Sequence, residues 1–205
     1  MWYRRGSTRQ AGQESRFDTI PPTEIVAPNR PVVRYSHCPL PAYRFVPGLH
    51  PHPTRNPQGH SFAPPVPLHD RPAWDARDWR QLDDWLTGVD RFNHFYFWEA
   101  HESWEGLWAA APRESVPARS LQGLIQIAGA LLKIHVGSLP GAAALSREGL
   151  EKLAESAADS PTILGLDLDA TVSEFVHYFR PLDERTLPPL DASVPLLRLE
   201  SVRDA

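Results

Sequence analysis

Proline divides this chain. Of its 22 prolines, 14 fall between Pro21 and Pro72. Each one fixes its own φ, lacks an N–H donor and biases the residue before it toward extended backbone. A useful length of helix does not form under that density, so residues 21–73 are expected to be an extended arm. Residues 1–20 are polar and Arg-rich and are expected to be disordered. A regular fold is then confined to residues 74–180, followed by a second Pro-rich tail over 181–205.

The arm carries more than a spacer needs. Tyr43, Phe45, Val46, Leu49 and Phe62 could anchor it on a folded body, and His50, His52 and His60 fall within eleven residues. The plain expectation is an ordered wrap over exposed core. The sharper one is that the arm lends a histidine to a site.

From Trp74 the apolar spacing becomes helical. Asp75 is a plausible N-cap for a first helix to about Arg91, with Trp79, Leu82, Trp85, Leu86 and Val89 recurring on one side. Asn93 is placed as the cap of a second helix reaching about Ala110. A third, Pro117 to Val136, takes its proline in the first turn, where proline is best tolerated. It is apolar almost all round, which suits the middle of a bundle, and Gly137 ends it. A fourth runs from Gly141 to about Ala157. A fifth covers about Asp167 to Tyr178, with Leu168, Val172, Phe175, Val176 and Phe179 inward. No segment alternates convincingly. The expected class is all-α, a five-helix bundle with a central apolar helix preceded by a Pro-rich extended arm.

Bulk properties narrow the function. A net charge of −4 with no basic stripe argues against nucleic acid as a partner. The single cysteine, Cys38, excludes an intramolecular disulfide and a Cys-rich zinc site. The apolar window Leu121–Val136 is interrupted by Gln122, Gln126 and Lys133, so no membrane span is expected. The N-terminus lacks the apolar run of a secretory signal. A soluble cytoplasmic protein is the expectation.

Chemistry concentrates between Phe92 and Trp108, where aromatics crowd with His94, Glu99, His101, Glu102 and Glu105. On a helical wheel of about 100° per residue, His101 and Glu105 fall on the apolar side, with Glu99 and Glu102 toward an edge. A buried carboxylate and imidazole must be paired or must bind a metal. The third helix offers one polar stripe, Gln122, Gln126, Gly129 and Lys133, expected to face the second helix. His101-Glu102-x-x-Glu105 differs from the zincin His-Glu-x-x-His only at its last ligand. His101 and Glu105 are thus candidate ligands for a divalent metal, zinc first, with His94 or an arm histidine as a further ligand. Glu102 or Glu99 is the candidate base, and Gln122, Gln126 and Lys133 complete the candidate catalytic set. His135 is expected to favour a helix-end dipole, and His177 a surface or polar core position. Gly59-His60-Ser61 lacks the strand-turn-helix context of a nucleophile elbow.

Phe92-Asn93, then Glu99-Ala100-His101-Glu102, Glu105 and Trp108, resemble the first motif block of the family called domain of unknown function 309. Leu121-Gln122-Gly123-Leu124-Ile125-Gln126, Gly137 and Gly141-Ala142 resemble its second. The resemblance covers about Trp79 to Phe179. It implies a small all-α bundle and a label of metal-dependent hydrolase. This chain departs from the family pattern at Phe95, where a small residue is usual, and at Gly137-Ser138, where Gly-Asn is usual. Two functions stay open. One is a metal-dependent hydrolase acting on a small molecule. The other is a non-catalytic scaffold, whose arm docks on a partner or on a second copy, leaving a homodimer open.

Overall fold

The computed structural model describes residues 31–62 and 73–200. The expected disorder of residues 1–20 lies outside that range, as do the arm's outer stretches, 21–30 and 63–72. Five helices carry the fold: α1 Asp83–Asn93, α2 Phe97–Ala110, α3 Val116–His135, α4 Leu139–Asp159 and α5 Leu168–Phe179. The only strands among the described residues are an antiparallel pair, β1 Thr162–Ile163 and β2 Leu166–Asp167. The class is therefore the expected helical bundle.

The expected first helix is broken. Asp75 caps as expected, accepting from Arg77 N–H, but Ala76–Gln81 winds as a 3-10 helix, and Leu82 (φ −87°, ψ 88°) separates it from α1. Trp79 and Trp85 are six residues apart, which on one continuous helix would set them about 120° from each other. Both are buried. The break lets Trp79 lie on Gly165, while Trp85 packs against Trp104 and donates to Leu164 O at 3.0 Å.

The turn from α1 to α2 corrects the expected role of Asn93. Asn93 ends α1, and its side chain joins the tail instead. Asn93 Nδ2 donates to Leu197 O and Asn93 Oδ1 accepts from Leu197 N–H, both at 2.8 Å. Phe95 takes the left-handed conformation (φ 67°) just past α1. Phe95 N–H donates to Phe92 O and Tyr96 N–H to Arg91 O, the Schellman closure usually given to glycine. Its ring, 1 % exposed, stacks on Phe97 at 5.5 Å and fills the space a smaller residue would leave open.

Helix α3 is the centre. Ser115 caps it by accepting from Ala118 N–H, and Leu121, Leu124, Ile127, Ala128, Leu131 and Ile134 are fully buried along it. Gly137 (φ 73°) ends it with the same Schellman pairing, Ser138 N–H to Lys133 O. Against α4 the two backbones nearly touch. A Cβ on Gly123 would lie 2.9 Å from Leu153 Cγ and 3.0 Å from Gly149 O. On α5 the inward set is Leu168, Thr171, Phe175, Tyr178 and Phe179. Val176, expected inward, is 52 % exposed, because Tyr178 takes the inner position and donates its hydroxyl to Pro189 O. The tail is part of the core through Leu190, Val194, Leu197 and Leu199.

The arm lies along α1 and α2. Asp90, buried on α1, accepts from Tyr35 N–H (2.8 Å), Ser36 N–H (2.8 Å), Ser36 Oγ (2.6 Å) and Arg34 Nε (3.0 Å). Phe45 and Val46 are buried, whereas Leu49 and Phe62, expected as anchors, are exposed.

Candidate functional site

Helix α2 presents Phe97, Ala100, Ser103, Trp104 and Leu107 to the core. His101, Glu102 and Glu105 follow on its flank, half-buried rather than inward as the wheel placed the first and last. The helix packs on α1 and α3 together, and that inner arc is taken by Phe97, Ala100 and Trp104. The flank faces a cleft of 760 Å³ between the arm and α3. Its wall includes Phe45, His50, His52, Trp98, His101, Glu105, Gly129 and Lys133.

His101 is held in one orientation. Its Nδ1 lies 3.0 Å from Trp98 O, a carbonyl that can only accept, so Nδ1 carries the proton and Nε2 keeps its lone pair. Nε2 is 3.9 Å from Glu105 Oε2, and Nδ1 is 3.9 Å from Glu102 Oε1. Burial lowers the His101 pKa below its ordinary 6.5, against the opposing charge of Glu105. The ring is therefore neutral near pH 7, the form that binds metal. Among the described residues, His101, Glu102 and Glu105 are the one group of three whose ligand atoms all lie within 4.8 Å of one another.

Glu99 is not at an edge. It is 2 % exposed because the arm covers that side of α2. Glu99 Oε1 accepts from Phe45 N–H at 2.8 Å and from His60 Nε2 at 2.9 Å. His60 is one of the three arm histidines that the sequence offers as further ligands. It pairs with Glu99, whereas His50 and His52 line the cleft that His101 faces. His52 stands 5.3 Å from the Trp98 ring. Burial and then the charge of Arg55 lower its pKa.

The stripe on α3 splits. Gln126 turns to α4, donating from Nε2 to Glu148 Oε2 at 2.8 Å, rather than to α2. Gly129 and Lys133 share the cleft with His101. Gln122 lines a second, larger cleft of 1140 Å³ with Glu102, Glu105, Arg113, Arg119 and Lys152. Gln126 is thus drawn out of the set expected to face α2. The physical cause is that α3 is wedged between α2 and α4, so neighbouring turns of one stripe meet different helices. His94 is set apart, its Nδ1 2.7 Å from Asp90 O at the end of α1, and it is not one of the clustered three. His135 faces the arm. Burial lowers its pKa first, then the charges of Arg44 and His50.

Residues 85–145 match the model of DUF309, a domain of unknown function. The DUF309 match runs from Trp85 in α1 to Leu145 in α4. It contains His101, Glu102, Glu105, Gln122, Gln126 and Lys133, and it excludes the arm and α5. His60 and Phe45, which close over Glu99, are thus outside the DUF309 match. No curated protein matches the chain. No helix among the described residues is long and apolar enough to cross a membrane.

Proposed function

We propose that the cleft between the arm, α2 and α3 is a metal-dependent hydrolytic site for a small molecule. The observation that carries it is the convergence of His101, Glu102 and Glu105 ligand atoms within 4.8 Å. The donor set fits a divalent ion. One neutral imidazole with its lone pair directed away from Trp98 O and the Glu105 carboxylate suit zinc and its neighbours, with the Glu102 carboxylate close beside them. The Trp98 carbonyl is the outer partner that fixes the ligand tautomer.

His101 and Glu105, one turn apart on α2, would hold the ion. A divalent ion there supplies Lewis acidity and a water acidic enough to deprotonate near neutral pH. Glu102, which borders both clefts, would be the general base beside the ion. Lys133 and Arg55 line the same cleft and would meet an anionic part of a substrate. Glu99 is engaged by Phe45 and His60, so its part is to hold the arm over the cleft rather than to act as the base.

Metal content after purification without a polyhistidine tag tests this directly. One divalent ion per chain is expected, absent from His101→Ala with helical content unchanged. A wild-type chain that takes up no ion from excess zinc or manganese would overturn the proposal. The alternative would then stand, a scaffold in which the same side chains only satisfy one another.

A further inference from the structure

A second set of groups lies on the other side of Trp98, under the end of the arm. His60 Nε2 is 2.9 Å from Glu99 Oε1, and His60 Nδ1 is 2.8 Å from Ser61 Oγ. Glu99 Oε1 is an acceptor that already receives Phe45 N–H. Nε2 therefore carries the imidazole proton, and Nδ1 is left to accept the Ser61 hydroxyl. A carboxylate thus orients an imidazole, and the imidazole in turn holds a serine hydroxyl as its base. Glu99 and the His60 side chain are 2 % and 7 % exposed, while Ser61 is exposed. Ser61 opens on a pocket of 210 Å³ lined also by Thr54, Arg91, Glu99, Glu102 and Ser103. Two buried polar atoms around that pocket lack a partner, Glu99 Oε2 and Arg91 Nε. Buried charged groups are seldom left so, and this pair marks a place for a polar ligand.

We infer that Ser61 is an acyl-transfer nucleophile, with His60 as its base and Glu99 as the positioning residue. The substrate class is an ester of a small acyl group, because the pocket is only several water volumes in size. Ser61 Oγ attacks the carbonyl carbon as its proton passes to His60 Nδ1. The alcohol leaves with that proton, and a water then hydrolyses the acyl-serine and restores the hydroxyl. Among the described residues, Arg91 is the one cation lining that pocket, where its charge would stabilise the carbonyl oxygen as it gains charge. No metal ligand takes part, so the activity is separable from that of the His101 cleft. Gly59-His60-Ser61 has no nucleophile elbow, and the carboxylate that completes it comes from α2, thirty-nine positions beyond His60.

The test is labelling of the whole chain with a small fluorophosphonate in the presence of EDTA. The phosphorus–fluorine bond breaks, a bond to the serine oxygen forms and HF is released. Mass spectrometry should find one adduct on Ser61. Ser193 is the internal control, since it is exposed and bonded to the Asp191 carboxylate without an imidazole. Ser61 should react at least tenfold faster than Ser193, Ser61→Ala should carry no adduct, and His60→Gln should slow labelling at least tenfold. The Ser61 hydroxyl is exposed, so its removal does not threaten folding. If His60→Gln frees the arm, seen as new proteolysis within residues 31–62, the Ser61-to-Ser193 ratio in the wild type decides alone. For Glu99, a downfield imidazole N–H proton resonance, assigned by its loss in His60→Gln, should also vanish in Glu99→Ala. No adduct, or a Ser61 rate within twofold of Ser193, would overturn the inference.

Discussion

Asp90→Asn should loosen the arm without unfolding the bundle. Asp90 is 1 % exposed and accepts four hydrogen bonds, three at Oδ2 from Arg34 Nε, Ser36 N–H and Ser36 Oγ and one at Oδ1 from Tyr35 N–H. Asparagine has the same shape, so no cavity opens, but it has one acceptor oxygen and one NH2. If the oxygen keeps the three donors at Oδ2, the amide nitrogen faces Tyr35 N–H and that donor is orphaned, at about 1–3 kcal/mol. The three remaining bonds lose their charge assistance, at about 0.5–1 kcal/mol each. Part of the sum is recovered as the freed groups reach water, leaving about 3 kcal/mol. The amides of Tyr35 and Ser36 report the opening. Their hydrogen exchange should quicken about 100-fold, since every ~1.4 kcal/mol is tenfold. Amides of Leu124 to Leu131 in α3 should keep their protection. Exchange at Tyr35 and Ser36 within fivefold of wild type would refute the role given to Asp90.

Two further outcomes are expected. Gly88→Ala should cost about 1–3 kcal/mol in urea unfolding, because a Cβ there would overlap the Trp104 indole nitrogen and push α2 off α1. Stability of the metal-free protein should fall as pH drops below about 6.5. His52 and His135 have folded pKa values below their ordinary 6.5. The unfolded chain therefore binds more protons between the folded values and 6.5, and that protonation favours unfolding. Their contribution is intact above 6.5, so the urea midpoint should rise with pH through this window and then level off. A midpoint that rises on acidification there would contradict the placement of both rings.

Much of the bundle was legible because its signals are local. Ser115 before Pro117, the apolar run of α3 and Gly137 after it mark a central helix in any context. The break at Leu82 was not legible, because it answers to Gly165, more than eighty residues away. Nor was the role of Asn93, whose side chain is drawn to Leu197 rather than to the next helix. At the site, the cluster His101, Glu102 and Glu105 could be read from spacing on one helix. The burial of Glu99 could not, since the arm that covers it has no periodicity to show where it lies. The histidine count in the arm was the one available signal, and it offered His50, His52 and His60 alike without giving any of them a partner. The polar stripe of α3 was visible as a stripe. Its division between two clefts depends on which helices flank it, which only the packing decides.

The most direct measurement is anomalous X-ray diffraction at the zinc edge from crystals of the tag-free protein soaked in zinc. A metal site on α2 requires one peak on the flank of that helix, about 2.0–2.2 Å from His101 Nε2 and from a Glu105 oxygen, with Glu102 beside it. Zinc bound elsewhere, with His101 unliganded and its Nδ1 still on Trp98 O, would contradict it.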